Sequence, residues 1–233
     1  MNEPDSPASA RQTGDTAFSY ACHRCRRCCH DKLIQVNPYE IARLARRLGL
    51  TTTVFIRDYL ADQPHLRRTD DGACVFLGPE GCTVHPDRPL VCRVYPLGRH
   101  IQVGGEPRYL RIEPHPQSAG VYGTDGTIDR YLAGQGVADF IAAADQYLSV
   151  LQALFDAWRR APWVVEDQPA AGAEAGAEAP DLLDLDKAVA EYCRQRSRPE
   201  PVGIEDRMRL HLAAIAEWLK AQPVAAGKNP ASR

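Results

Sequence analysis

The sequence predicts a mainly helical α+β protein in which a small, irregular, cysteine-rich module packs against helices. Three observations carry that expectation. Seven of the eight cysteines fall between Cys22 and Cys92, in a stretch too poor in apolar periodicity to hold itself together by packing. From Asp70 to His100 the chain is broken by Asp71-Gly72, Pro79-Glu80-Gly81, Pro86, Pro89 and Pro96, which forbids long regular elements. After Pro116 apolar residues recur at helical spacing.

In chain order, residues 1–17 read as a disordered tail, polar and marked by Pro4, Pro7 and Gly14. Cys22 to Asp31 reads as a loop, and Lys32 to Val36 as a short strand. Asn37 caps a helix with Pro38 at its first position; Ile41, Leu44, Ala45 and Leu48 form its apolar stripe and Gly49 ends it. Thr51 to Thr53 caps a second helix through Leu60 that presents Phe55, Ile56 and Tyr59. Ala73–Leu77 and Cys82–Val84 are short paired strands, and Arg99–Val103 with Tyr109–Ile112 forms a hairpin around Gly104-Gly105.

Thr127 to Leu132 is a short helix. Val137 to Arg160 is a long one, with Phe140, Tyr147, Leu151, Phe155 and Trp158 on a broad face read as core. The domain therefore spans 18–161, followed by a flexible Ala/Gly/Glu linker at 162–180, a C-terminal helical segment at 181–222 and a tail at 223–233.

Composition sets the outer limits. The 233 residues carry 28 basic and 30 acidic side chains, net −2, with 44% hydrophobic residues, which excludes collagen-like and wholly disordered chains. No run approaches the roughly 18 apolar residues of a membrane span, and the polar start lacks a signal-peptide pattern. The expectation is a cytoplasmic protein without membrane association, whose thiols stay reduced.

Disulfides fit the cysteines poorly, because four sulfurs crowd into eight positions and Cys28 adjoins Cys29. Inert burial suits Cys193, which sits in an apolar helical pattern, but not cysteines set among Arg24, Arg26 and Arg27. Metal ligation fits. Each C-x2-C pair lets two thiolates grip one centre, and Cys22-x2-Cys25-x2-Cys28 repeats the iron–sulfur run, with a fourth ligand to come from Cys74, Cys82 or Cys92. The arginines lower thiol pKa values and offset thiolate charge. Two zinc sites would take eight ligands, which seven cysteines and His85 would supply; His23 and His30 are further candidates.

Cys22-x2-Cys25-x2-Cys28-Cys29, Cys74-Val-Phe-Leu, Cys82-Thr-Val-His85 and Arg88-Pro89-x2-Cys92-Arg93-x-Tyr95-Pro96 together resemble the YkgJ-type CxxCxxCC cysteine-cluster family, described as zinc- or iron-chelating. The resemblance runs over roughly residues 20–100 and implies that Cys22, Cys25, Cys28, Cys29, Cys74, Cys82 and Cys92 form the chelating set. A distant branch includes the flagellin lysine N-methylase. No methylase motif or G-x-G-x-x-G fingerprint occurs after residue 117, so that activity is not carried over.

The expected function is metal binding, as an iron–sulfur cluster or iron with a redox or enzymatic role; the alternative is a structural zinc module that mediates interactions without catalysis. Whether the chain is an enzyme stays open. The basic stretch Cys22–Arg47 reads as charge compensation rather than a nucleic-acid site, since its one aromatic, Tyr39, gives no interleaving that would support base stacking. Arg88, Arg93 and Tyr95 are either groups that orient the metal ligands or surface ion pairs. The C-terminal helices either dock on the core or recruit a protein partner.

Overall fold

Asn37 sets the first fixed point of the chain. Its side chain accepts the Glu40 N–H while the Glu40 carboxylate accepts the Asn37 N–H, a reciprocal cap that starts α1 (Pro38–Leu48); Gly49, at φ 69°, ends it. The computed structural model that contains it describes residues 12–62, 64–160 and 179–221. The expected linker falls almost wholly outside the described residues, as do the first eleven residues and the expected C-terminal tail.

In order along the chain, β1 (Ala17–Ala21) precedes a 3-10 turn (Arg27–Cys29), α1 and α2 (Thr52–Tyr59). Four two-residue strands follow: β2 (Leu60–Ala61), β3 (His65–Leu66), β4 (Leu77–Gly78) and β5 (Gly81–Cys82). A second 3-10 turn (His85–Asp87) leads to α3 (Leu90–Val94), β6 (Leu97–His100), β7 (Arg108–Arg111) and β8 (Val121–Thr127). The remaining helices are α4 (Ile128–Gly134), α5 (Ala138–Arg160), α6 (Leu185–Gln195) and α7 (Ile204–Ala221). The fold is mixed α+β and mainly helical, with every sheet an antiparallel pair.

Helix α1 is the hub because its two faces serve two cores. Ile41, Leu44 and Ala45 pack with Ile34, Val36, Phe55, Leu66, Phe76 and Val84 beneath the cysteines. Tyr39 and Ala42 turn the other way, onto Phe140, Ala143 and Tyr147 of α5 and onto Leu185, Val189, Cys193 and Met208. A third core joins Phe18 of β1 to Leu97, Tyr109, Ile128 and Leu132. Removing a fully buried leucine such as Leu44 from cores of this kind costs about 3 kcal/mol.

Several elements differ from their sequence expectation. Lys32–Val36 is extended, with Ile34 and Val36 buried and Leu33 and Gln35 exposed, but it bonds only to residues 64–66 and forms no continuous ladder. The strands expected at 73–77 and 82–84 pair only at Leu77–Cys82 and Gly78–Gly81. The hairpin forms with register His100–Arg108, two residues earlier than expected at its start. Residues 12–16, inside the expected tail, are hydrogen-bonded: Gln12 exchanges both backbone bonds with Tyr109, and β1 pairs with β8. On α5 the core face ends near Tyr147; Leu151, Phe155 and Trp158 are 56%, 50% and 60% exposed, because the buried cluster reaches no farther along that helix.

The C-terminal segment is docked. Asp184 caps α6 and accepts the hydroxyls of Thr52 and Thr53 at 2.5 Å, while the Asp186 carboxylate accepts the Thr52 N–H at 2.8 Å. His211 of α7 is fully buried between the Tyr147 hydroxyl, 3.0 Å from Nδ1, and the Asp181 carbonyl, 2.7 Å from Nε2. Burial holds its pKa below the ordinary histidine value, although Asp181 and Asp184 pull the other way. The unfolded chain therefore takes the proton first. Stability is fully present above about pH 6.5 and falls as the pH drops through that value. Urea unfolding across this range is expected to show the loss, and His211→Gln to flatten it.

Candidate metal centre

The cysteines reach their places by backbone devices rather than by core burial. The N–H of Cys74 donates to the Cys29 carbonyl at 2.8 Å, and His30 bridges Ala73, so the loop carrying Cys28 and Cys29 is stitched to the strand-like segment carrying Cys74. The Leu77 N–H then turns back onto the Cys74 carbonyl, and the β4–β5 pair places Cys82 opposite Leu77. Cys92 rides on the single turn of α3. Cys74, Cys82 and Cys92 are partly buried against the same apolar core.

Helix α3 has no cap of its own, and Glu40 supplies one from α1. Its Oε1 accepts the Leu90 N–H at 2.6 Å, while Oε2 accepts the Asn37 N–H at 2.9 Å. One buried carboxylate thus starts both helices. Burial pushes its pKa up, against the two N–H donors and the Arg93 charge. Arg93 is buried too, and it locks the far side: its guanidinium donates to the carbonyls of Arg88, Gln135 and Pro86, and stacks 3.9 Å over the Phe140 ring. It is therefore neither a sulfur donor nor a surface ion pair. It pins the loop before Cys92 to the α4–α5 corner. Arg88 bonds the His85 carbonyl and ring, and its other nitrogen reaches Gln135 at 2.9 Å.

The thiols divide into two groups. Cys28, Cys29, Cys74, Cys82 and Cys92 lie near enough for their charges to act on one another. The Cys28 and Cys29 sulfurs are 3.9 Å apart, close enough to share a hydrogen bond in which either thiol can donate, and that contact lowers the Cys28 thiol against its burial; Lys32 and Arg88 assist. The same bond, together with burial, pushes Cys29 up. Burial pushes Cys92 up, and the surrounding sulfurs add to it. Cys22 and Cys25 follow the end of β1, with Cys25 still near enough for Cys28 to act on it. Cys25 lies 3.9 Å from the Ser118 hydroxyl, and Cys22 is exposed. Tyr20, Tyr95 and Tyr131 face this outer pair, with the Tyr20 and Tyr95 rings edge to face at 6.1 Å.

A recurring local bond suits the donor set to a soft cation. Backbone N–H groups two residues ahead act on three of the sulfurs: that of Arg27 on Cys25, that of Phe76 on Cys74 and that of Val84 on Cys82. Such bonds stabilise thiolate over thiol. Cys25, which also accepts from Ala119, is held below its ordinary range; burial raises Cys74 and Cys82 and the N–H bonds oppose it. Among the described residues, no three Cys, His, Asp or Glu side chains already stand in a ligating arrangement, so side chains must turn to share an ion. His85 is exposed, with Nδ1 3.2 Å from the Arg88 guanidinium.

The sequence placed the seven cysteines but not the division between them, and it passed over Glu40, Tyr20, Ser118 and Gln135. Only Glu40 left a signal, the Asn37-x-x-Glu40 spacing of a reciprocal cap. Arg93→Ala is expected to lower the unfolding free energy by about 3 kcal/mol, because it strands buried carbonyls. Arg93→Lys should recover less than half of that, lacking the planar fork; urea denaturation of both variants checks this.

No curated protein and no solved structure matches the chain. Among the described residues no helix is long and apolar enough to cross a membrane. Residues 21–109, the segment that holds all seven clustered cysteines, match one family model, CxxCxxCC, described as "Putative zinc- or iron-chelating domain".

Proposed function

We propose that this domain binds iron as an iron–sulfur cluster through Cys28, Cys29, Cys74, Cys82 and Cys92, in a redox or enzymatic role and in a reducing, cytoplasmic setting. One observation carries the reading: four stretches of chain, carrying Cys28 and Cys29, Cys74, Cys82 and Cys92, bring sulfur to a single neighbourhood under backbone control. Sulfur-only donors suit iron–sulfur clusters and zinc alike. Five inner thiols cover the four that one cubane cluster or one zinc takes, and His85 is turned to Arg88, which weakens the mixed sulfur–nitrogen zinc set.

When bound, such a cluster supplies one-electron chemistry. The chain's own part is positional and electrostatic. The N–H groups of Phe76 and Val84 favour thiolate at Cys74 and Cys82 against the burial that raises both, and Lys32, Arg88 and Arg47 offset the accumulated negative charge. Glu40 and Arg93 fix α3, and with it Cys92.

A second reading, a structural zinc module without turnover, is favoured by the brevity of β4, β5 and α3, which a tetrathiolate ion would staple together. For either metal the C-terminal helices act as part of the domain's support, being docked on α1 and α5.

Anaerobic purification followed by metal analysis separates these. A brown protein with about four irons per chain, lost in Cys74→Ser and Cys92→Ser, is the expected result. Colourless protein with stoichiometric zinc overturns the iron reading in favour of the second. Metal-free protein whose unfolding is indifferent to chelators overturns both.

A further inference from the structure

The outer cysteines have different surroundings from the inner five. Cys22 is exposed at the end of β1, Cys25 is half-buried against the Ser118–Gly120 loop, and Cys28 lies between Cys25 and the inner set. Burial thus rises from the exposed Cys22 to Cys25 and Cys28, and Cys28 acts on Cys25 through space. From Cys22 to Lys32 the chain carries Arg24, Arg26, Arg27 and Lys32 against the single acid Asp31. All four cations are exposed, and of them Arg26 is engaged with the Pro79 carbonyl. A bare divalent cation approaching this rim meets repulsion, whereas an ion already wrapped in anionic sulfur meets attraction.

We propose that Cys22 and Cys25 are an acceptor position that takes a thiophilic divalent cation from a small, negatively charged thiolate complex, and that Cys28 hands it on to the inner thiols. This rests on the metal-binding reading above. The exchange balances without redox chemistry. For each metal–sulfur bond formed by a cysteine, one bond to the carrier's thiolate breaks, and the released carrier sulfur takes the proton that the cysteine gives up. The oxidation state of the ion does not change. Arg24 and Arg27 draw the anionic carrier in, and the exposed Cys22 makes the first contact.

The test uses the full chain, reduced and freed of metal under anaerobic conditions. Cobalt(II) is the probe, offered as the aqueous ion or as its anionic complex with glutathione, and uptake is followed by sulfur-to-cobalt charge-transfer absorption. Wild-type protein is expected to load from the complex at a rate that falls as salt rises. Cys22→Ser with Cys25→Ser should slow that loading by about tenfold or more, while the endpoint remains set by the inner thiols. The exposed single variant Cys22→Ser, whose folding is checked by circular dichroism, should also be slowed. Arg24→Gln with Arg27→Gln should slow loading from the complex and not from the aqueous ion. Equal rates in wild type and the cysteine variants, or loading from the complex that is indifferent to salt, overturn the proposal and leave the metal-binding reading standing. Wild-type protein that takes up no cobalt from either source overturns both.

Discussion

The Glu40 carboxylate is the interaction on which the rest of the domain depends. It is 3% exposed, yet it is shared between the first turns of two helices, and each oxygen satisfies a backbone N–H that would otherwise be stranded. A helix of one turn has too few internal bonds to stand alone. Helix α3 exists because α1, itself pinned by Asn37, reaches across and starts it, and because Arg93 ties the preceding loop to Gln135 on the other side. Cys92 is therefore held by groups that never touch sulfur. A polar frame of this kind supplies rigidity where short, Pro-broken segments cannot build a core.

The inner thiols extend that logic. Packing five partly buried sulfurs together is unfavourable once they ionise, and the two remedies in the chain are different in kind. Backbone N–H groups act at fixed short range on individual sulfurs, as Phe76 and Val84 do. Arg88, Lys32 and Arg47 act through space on the group. The first remedy offsets burial at particular sulfurs, and the second eases the charge of the group as a whole.

Local chemistry was legible in the sequence where it was self-contained. Asn37, Thr51, Thr127 and Asp184 each accept a bond from the third residue of the helix they open, so their helices could be read from neighbours alone. The β1–β8 pair could not, because Phe18 and Tyr20 find their partners a hundred residues on, in a strand weakened by Gly123, Asp125 and Gly126. The face of α5 was read as uniformly buried because periodicity reports amphipathicity and not where the neighbouring helices stop. At the site, cysteine spacing named the candidate donors, while their separation into inner and outer groups depends on the Cys74–Cys29 backbone bond and the Ser118 loop, which spacing does not encode.

The bonds from Thr52 and Thr53 to Asp184 and Asp186 bear on how the molecule comes into being on the ribosome. The stretch holding every clustered cysteine emerges before α6, but the helix face behind it stays open until α6 arrives about ninety residues after Cys92. Contacts closed over such loops form slowly. A nascent chain thus presents its sulfurs before its scaffold is complete, so an early-captured ion would meet a site still free to choose its geometry.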